Sequence, residues 1–452
     1  MLSKIAAVLI SPAAPSAILL YGILFGFAMW SYLGWPWLRS DTITLYFSIS
    51  AWALIVIVRR WRVAVSPLNW LDAFFCAFLL LVLGSIATHW WEGTVKYLEF
   101  MPCFFVLPFL LGRMMGVEDV LLFRKMLIGV GGGLLLLMPI EYWRNAQPGF
   151  LYTNSPSPIL FGQAHGAMLS GLILSSTLLA LVSMLMTPVG SNVDGSGDER
   201  RHRFFGYMML AVIVVAMIWI SSRGSAIATV LGMISLFLFS SFCGWRKKIA
   251  ILLYVSLFVS VALMHSFQNI YHKEYYQALF RGPAATLDVP RERATSQVRQ
   301  LERGKPILRA ESCKRVVDSI SDRWIHYRSA WEMFLAKLWA GVGANFYGFY
   351  SCTGPGSYPH STILQVLAEM GILGGLVYFS MIGIVFCALI ARYSSAVTVC
   401  GKASMGWALA FVVLQLTTSQ FYGNYFTSTG LYFGVGLAAS FLDGAERSSR
   451  LA

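Results

Sequence analysis

Residues 358–393 read YPHSTILQVLAEMGILGGLVYFSMIGIVFCALIARY. From Gly371 to Ala391 the stretch carries no charge, and it stops at Arg392. A run of about 20 largely apolar residues is what an α-helix needs to cross the hydrocarbon of a bilayer. Just upstream, Tyr358-Pro359-His360-Ser361-Thr362 opens a helical run. Proline favours an extended residue before it, and Ser or Thr accepts hydrogen bonds from the first free amides of a helix. The stretch therefore joins a polar loop to a membrane span, and it sets an ionisable imidazole at the edge of the bilayer.

The rest of the chain has the same character. Of 452 residues, 57% are hydrophobic and 12% are charged, and the mean hydropathy is +0.65. A water-soluble domain carries about 25% charged residues. Transmembrane barrels show alternating segments of roughly ten residues, whereas this chain shows long Leu/Ile/Val/Phe blocks. The fold class expected is an all-α polytopic membrane protein of about twelve transmembrane helices. Spans are predicted near 17–33, 41–58, 68–87, 97–112, 126–140, 159–186, 205–220, 225–242, 249–267, 371–391, 404–420 and 425–442.

These spans sort the basic residues. Seventeen Lys and Arg, among them Arg59, Arg60, Arg113, Arg124, Arg200, Lys247, Arg392 and Arg447, fall on one side. Only Arg39, Lys96, Arg144 and Arg223 fall in the short loops opposite. By the positive-inside rule both termini are cytoplasmic, and Arg223 and His360 face outward. The other thirteen basic residues lie in the long loop 268–360, a length at which the charge rule no longer applies. The organisation expected is transmembrane helices one to nine over 1–267, with a flexible cytoplasmic linker at 187–203. A helical periplasmic loop domain follows over 268–360, then helices ten to twelve and a cytoplasmic tail over 361–452. The net charge of +13 follows from loop bias and contact with anionic lipid headgroups. No nucleic-acid motif accompanies it.

Within the loop, Val316, Val317, Ile320, Trp324, Tyr327, Trp331, Phe334, Leu335 and Leu338 recur at helical spacing. Arg323 and Arg328 flank that stripe on different sides, because five residues turn a helix by about 140°. With thirteen basic against eight acidic residues, the loop reads either as a solvated face with ion pairs or as an attractor for a polyanion. Of seven cysteines, only Cys313 and Cys352 lie in the loop, where an oxidising exterior would permit a bridge between them. No Cys/His or carboxylate set has metal-ligand spacing, so neither metal nor cofactor is expected.

Two residues stand out for chemistry. Arg223, in Ser221-Ser222-Arg223-Gly224-Ser225 between two spans, is either a snorkelling side chain on lipid phosphate or a phosphate ligand whose planar fork matches phosphoryl oxygens. Ser222 and Ser225 would add donors. His360 is either an interfacial polar residue or a general base, since imidazole titrates near neutral pH. Glu369, nine residues on, is half a helical rotation away from His360 in a straight helix, so it would support packing or orient another group. His89 beside Trp90 and Trp91 reads as part of an interfacial aromatic belt. His265, His272 and His326 have no supporting pattern.

Together these motifs resemble the O-antigen ligase and polymerase superfamily of bacterial envelopes, mainly over 321–380. The stretch from His360-Ser361-Thr362 through Glu369-Met370-Gly371 to Gly374 is similar to that family's most recognisable segment. So are Gly341-Val342-Gly343, the arginines Arg323 and Arg328, and the upstream Ser222-Arg223-Gly224. Leu338-Trp339 departs from the His-Pro usual before the Gly-Val-Gly.

The resemblance implies inverting transfer of a glycan from undecaprenyl diphosphate to a hydroxyl acceptor on the outer face of the bacterial inner membrane, without nucleotide or required metal. For a ligase the acceptor is lipid A–core. His360 would be the base, and Arg223 with Arg323 or Arg328 would bind the diphosphate. The loop of moderate length before His360 favours a ligase. An O-antigen polymerase and a protein O-oligosaccharyltransferase are the alternatives inside the superfamily. A transporter or flippase for an anionic lipid is the alternative outside it, although no internal repeat supports that reading.

Overall fold

The structure is a computed structural model. It describes residues 8, 10–21, 42–60, 68–90, 98, 101–145, 166–187, 197–220, 223–240, 320–351, 358–421, 424–425 and 428–451. Among these every regular element is helical. In chain order they are α1 (Thr42–Arg59), α2 (Trp70–Thr88), a short π-helical turn (Pro102–Val106) leading into α3 (Leu107–Arg113), α4 (Val117–Asn145), α5 (Gly166–Met186), α6 (Gly197–Ile220), α7 (Arg223–Leu238), α8 (Ile320–Ala336), the single turn α9 (Tyr347–Tyr350), α10 (Thr362–Ser395), α11 (Val399–Phe421) and α12 (Thr429–Leu451).

Five of these are long and apolar enough to cross a bilayer: Trp70–Thr88, Val117–Ile140, Leu169–Met186, Thr362–Ser395 and Val399–Phe421. Shorter apolar segments lie at Ile49–Arg59, Pro102–Arg113, Phe204–Met217 and Gly224–Leu238. The chain is thus a multi-pass α-helical protein.

Several span limits differ from those expected. The span placed at 126–140 belongs to α4, which runs on through Arg124 and Lys125. Charged residues end a hydrophobic run but not a helix, for Lys and Arg are good helix formers. For the same reason α6 starts at Gly197 and carries Glu199-Arg200-Arg201 as helix, shortening the linker expected over 187–203. The ninth span, 249–267, and residues 268–319 of the loop lie outside the described residues.

The core is built on α10, α11 and α12. Trp407, Phe411, Tyr378, Tyr425, Tyr432 and Phe433 are all fully buried there. Phe75 and Phe109 stack at 3.8 Å and connect α2 and α3 to the same core. Where α3 meets α12, glycine replaces bulk: a Cβ on Gly436 would strike the Phe109 carbonyl, and one on Gly112 would strike that of Phe433. Helices in lipid associate through such close backbone approach, because lipid offers no hydrophobic drive between them.

α7 and α11 run antiparallel. Gly232 lies against Ala410 and Leu414, and Gly406 lies against Phe239. Continuing that register brings the start of α7, at Arg223, level with Gln420 and Phe421 at the end of α11. Gln420 in turn contacts Ser361 at the start of α10. The first turn of α7 and His360 are therefore at one end of the bundle. Arg60, Arg113 and Arg392 are at the other, with Asp119, Asp72 and the end of α12.

Candidate active site at the broken helix

α10 is one element only in its hydrogen-bond count. At Gly371 the backbone leaves helical geometry (φ 61°, ψ −157°), and a nine-residue half-helix joins the span at a kink. The break frees backbone groups, and free buried groups must find partners. They find them in the segment that follows α8. The amides of Val342 and Gly343 donate to the carbonyls of Ala368 and Glu369 at 2.9 and 3.0 Å, while the amide of Ile372 donates to the carbonyl of Leu338 at 2.8 Å.

Two glycines permit this approach. Gly341 has φ 68°, and a Cβ there would overlap the Glu369 carbonyl; a Cβ on Gly371 would overlap the backbone of Trp339 and Ala340. Positive φ without a side chain is what glycine alone offers at no steric cost. Gly341-Val342-Gly343 is thus the backbone complement of the broken helix.

Glu369 locks the same junction. It is fully buried, and four donors converge on its carboxyl. They are the amides of Asn345 (2.8 Å) and Tyr347 (3.2 Å), the Tyr425 hydroxyl (2.8 Å) and the Gln365 side-chain amide (3.4 Å). The loop is also tied to α2: the Ala344 amide donates to Ser85 Oγ at 2.8 Å, and the His89 ring meets Phe346 edge-on at 5.6 Å. His89 is therefore part of this docking rather than only of an aromatic belt. Glu369 reaches the loop and not His360, in keeping with its place half a rotation away.

His360 occupies the bend before the half-helix. Its φ of 55° is left-handed, which is uncommon for a non-glycine residue and marks a held position. Pro359 precedes it. Ser361 then caps α10, accepting from the Leu364 amide at 3.3 Å and donating to Gln420 Oε1 at 2.9 Å. Thr362 Oγ1 donates to the Ser419 carbonyl at 3.0 Å. The end of α11 thereby fixes the bend. The imidazole is half-buried, with the Tyr358 ring 4.6 Å away and the His326 ring 5.6 Å away at 75°.

His326, which has no distinguishing sequence pattern, sits on α8. Its Nδ1 lies 2.9 Å from the hydroxyl of Tyr347, and that hydroxyl donates to the His326 carbonyl at 3.1 Å. Tyr347 is fully buried, and burial pushes its phenol well above the usual tyrosine range. A chain of contacts therefore runs from Glu369 through Tyr347 and His326 to His360. Spacing along the sequence cannot reveal it, because the partners come from three elements that meet only in the folded chain.

The remaining expected residues are distributed as follows. Arg328 is on α8 but two residues from His326, about 200° around the helix. Its guanidinium is exposed and pairs with Glu332 at 2.8 Å. Arg323 lies one turn before His326 in the same helix, and Arg223 is the first residue of α7; both side chains lie outside the described residues. Ser225 is buried against α5, where its carbonyl accepts from Thr229 at 2.7 Å and from Ser175 at 3.4 Å. Ser222, Cys313 and Cys352 lie outside the described residues. Among the described residues no group of three His, Cys, Asp or Glu could hold a metal ion.

The geometry puts the half-buried His360 imidazole at the end of the bundle where α7 begins, in a bend fixed by the end of α11. Such a group suits proton transfer at an interface. No curated protein matches the chain. A family model described as O-antigen ligase matches residues 208–379, from within α6 to the first half of the α10 span. That segment contains Arg223, the Gly-Val-Gly loop, His360 and Glu369. The family comprises glycosyltransferase-like ligases and polymerases, whose substrates are in general a lipid-linked glycan and a lipid acceptor. Over residues 208–379 the chain is similar to the O-antigen ligase family.

Proposed function

We propose that the protein is an O-antigen ligase. It transfers polysaccharide from undecaprenyl diphosphate to lipid A–core on the periplasmic face of the inner membrane, with inversion at the anomeric carbon and without a required metal. The observation that carries this reading is His360, set in a left-handed bend at the end of the bundle where Arg223 opens α7.

His360 removes the proton from the acceptor hydroxyl. The hydroxyl oxygen then attacks the anomeric carbon from the face opposite the diphosphate, and the bond from that carbon to the phosphoryl oxygen breaks. Its electron pair leaves on undecaprenyl diphosphate, and the proton on His360 returns to solvent.

Arg223 and Arg323 bind the diphosphate and stabilise the negative charge that grows on it. Arg328 joins them by exchanging Glu332 for the donor. An exposed ion pair of this spacing is worth about 0.3–0.5 kcal/mol, so a dianionic phosphate displaces it readily.

Purified protein with defined donor and acceptor, assayed in chelator, tests the activity. His360→Ala is expected to abolish transfer at normal expression, and wild-type product from that variant would remove the base. Arg223→Lys keeps the charge but loses the fork, so a large defect in transfer is expected. Unchanged donor binding in that variant would leave Arg223 a lipid anchor. In a deletion strain, a ligase leaves bare core with accumulated lipid-linked polymer, whereas core bearing one repeat would identify a polymerase. Translocation of an anionic lipid in liposomes without glycan transfer would replace the enzyme reading by a transporter.

A further inference from the structure

Arg124 on α4 is as deeply buried as Arg113, at 2% exposed, yet its Nε and Nη2 have no hydrogen-bond partner among the described residues. Arg113 sits between Asp72 and Asp443. Asp119, the nearest acid along α4 from Arg124, is committed to Arg60 and Ser11. A buried charge is expensive unless something of opposite sign answers it.

Three more buried side chains in the same part of the bundle carry a polar atom without a partner: Ser183 Oγ on α5, and Ser404 Oγ and Trp407 Nε1 on α11. Cys400, Ser404 and Trp407 occupy successive turns of one face of α11. Cys400 is in electrostatic reach of Arg124, and Phe123, the neighbour of Arg124, meets the Trp407 ring edge-on at 5.8 Å. That face of α11 is therefore turned toward Arg124. Ser183 is brought level with it by α5. Ser176, two turns earlier on the same face of α5, bonds Tyr21 at 2.7 Å, and the Tyr21 hydroxyl accepts from Gln415 of α11 at 3.1 Å. Leu179 lies against Gly232, where Ala410 and Leu414 approach. α5 thus runs antiparallel to α11, and Ser183 comes level with Ala408.

The chemistry of these groups is one-sided. Guanidinium and indole N–H groups only donate, and a hydroxyl can donate as well. Other hydroxyls in these helices give their proton to the carbonyl one turn back: Ser175 to Gly171, Thr177 to Ile173 and Thr418 to Leu414. Ser183 and Ser404 do not. Cys400 offers only a weak sulfur acceptor. It is exposed, so the protein surface is one turn from Ser404.

We propose that Arg124, Ser183, Ser404 and Trp407 form a binding site for a phosphate group between α4, α5 and α11, toward the end of the bundle away from His360. A phosphate supplies both the negative charge and the several acceptor oxygens that these donors lack, and the planar arginine fork matches it. Free phosphate and the headgroup of an anionic lipid share this chemistry, and basic sites between spans hold such headgroups. Bound there, the phosphate ties three helices together. The site does not depend on the transfer reaction.

The purified full chain in non-ionic detergent is titrated with inorganic phosphate at an ionic strength held constant with chloride. It is also placed in nanodiscs of phosphatidylcholine with and without phosphatidylglycerol. The readouts are the thermal midpoint, which a ligand of the folded state raises with concentration, and native mass spectrometry of retained phospholipid. A midpoint that rises with phosphate in detergent identifies a free oxyanion. A rise with phosphatidylglycerol alone, or phospholipid retained through purification, identifies a headgroup.

Arg124→Met removes the charge at similar length and is expected to weaken binding about 100-fold or more, abolishing the response and the retained lipid. Its midpoint without anion is expected to be no lower than that of wild type, because an apolar side chain in place of an unanswered buried charge is neutral or stabilising. Ser404→Ala keeps the charge and is expected to weaken binding about 10-fold, as loss of one hydrogen bond to a charged group implies. A wild-type chain that responds to neither probe and retains no phospholipid overturns the proposal, as does an equal response to chloride or a full response in Arg124→Met. Should Arg124→Met not fold, Ser404→Ala decides, and an unchanged affinity there overturns the site.

Discussion

The two ends of the helix bundle handle buried polarity in opposite ways. At one end Arg113, 3% exposed, is clamped between two carboxylates: Nε and Nη2 reach Asp72 at 2.5 and 2.6 Å, and Nη1 reaches Asp443 at 2.5 Å. Asn69 caps α2 in a reciprocal box with Asp72, and its side-chain amide also donates to Asp443 at 2.9 Å. Charge is answered by charge within the protein, and the product is a joint between α2, α3 and α12. At the other end Glu369 faces no cation among its partners; it is spent on two backbone amides, a tyrosine and a glutamine. That end uses its carboxylate to shape a loop, and its neighbouring ionisable groups are imidazoles and phenols. A joint whose charges pair within the protein serves stability, whereas at the other end the buried acid serves to hold a loop in place.

The comparison breaks most easily at the clamp. Arg113→Ala leaves Asp72 and Asp443 without their cation, and removing one partner of a buried pair costs about 3–5 kcal/mol. The expected outcome is a large drop in thermal midpoint in detergent, with kcat of the protein that remains folded little changed. A midpoint within a degree of wild type would deny the clamp its structural role.

Gly371→Ala probes the opposite end with a smaller stability cost. Positive φ and overlap with Trp339 and Ala340 strain the site by about 1–3 kcal/mol. Here transfer is expected to fall far more than thermal stability, because the misplaced loop carries Tyr347 and, through it, His326. Equal losses in the two measurements would mean that the broken helix is only a packing feature.

Arg328→Ala should have the smallest effect on folding, below about 0.5 kcal/mol for an exposed pair, while donor KM rises several-fold. An unchanged KM would restrict Arg328 to its partnership with Glu332.

Much of the membrane character was legible along the chain, since bilayer thickness acts on consecutive residues. The charge-free run after Gly371 reads as a span, and Ser361 reads as a cap, because each depends on neighbours in sequence. Span limits were less legible: α4 passes through Arg124 and Lys125, because hydropathy reports where a helix leaves lipid and not where its hydrogen bonds stop. Gly341, Gly343 and Gly371 are visible as glycines, but their purpose appears only when one backbone docks against another.

Sequence by itself determined that this is a multi-pass helical protein carrying a histidine at the start of its tenth expected span, and periodicity and propensity were enough for that. Tertiary structure alone decided that the span begins with a broken half-helix, that Glu369 serves the loop, that Arg328 turns outward and that His326 joins His360. Each of these depends on which distant backbone groups find one another once the helices pack. Such pairing is settled by three-dimensional close approach and by the need to satisfy buried hydrogen-bonding groups, neither of which leaves a periodic trace in the chain.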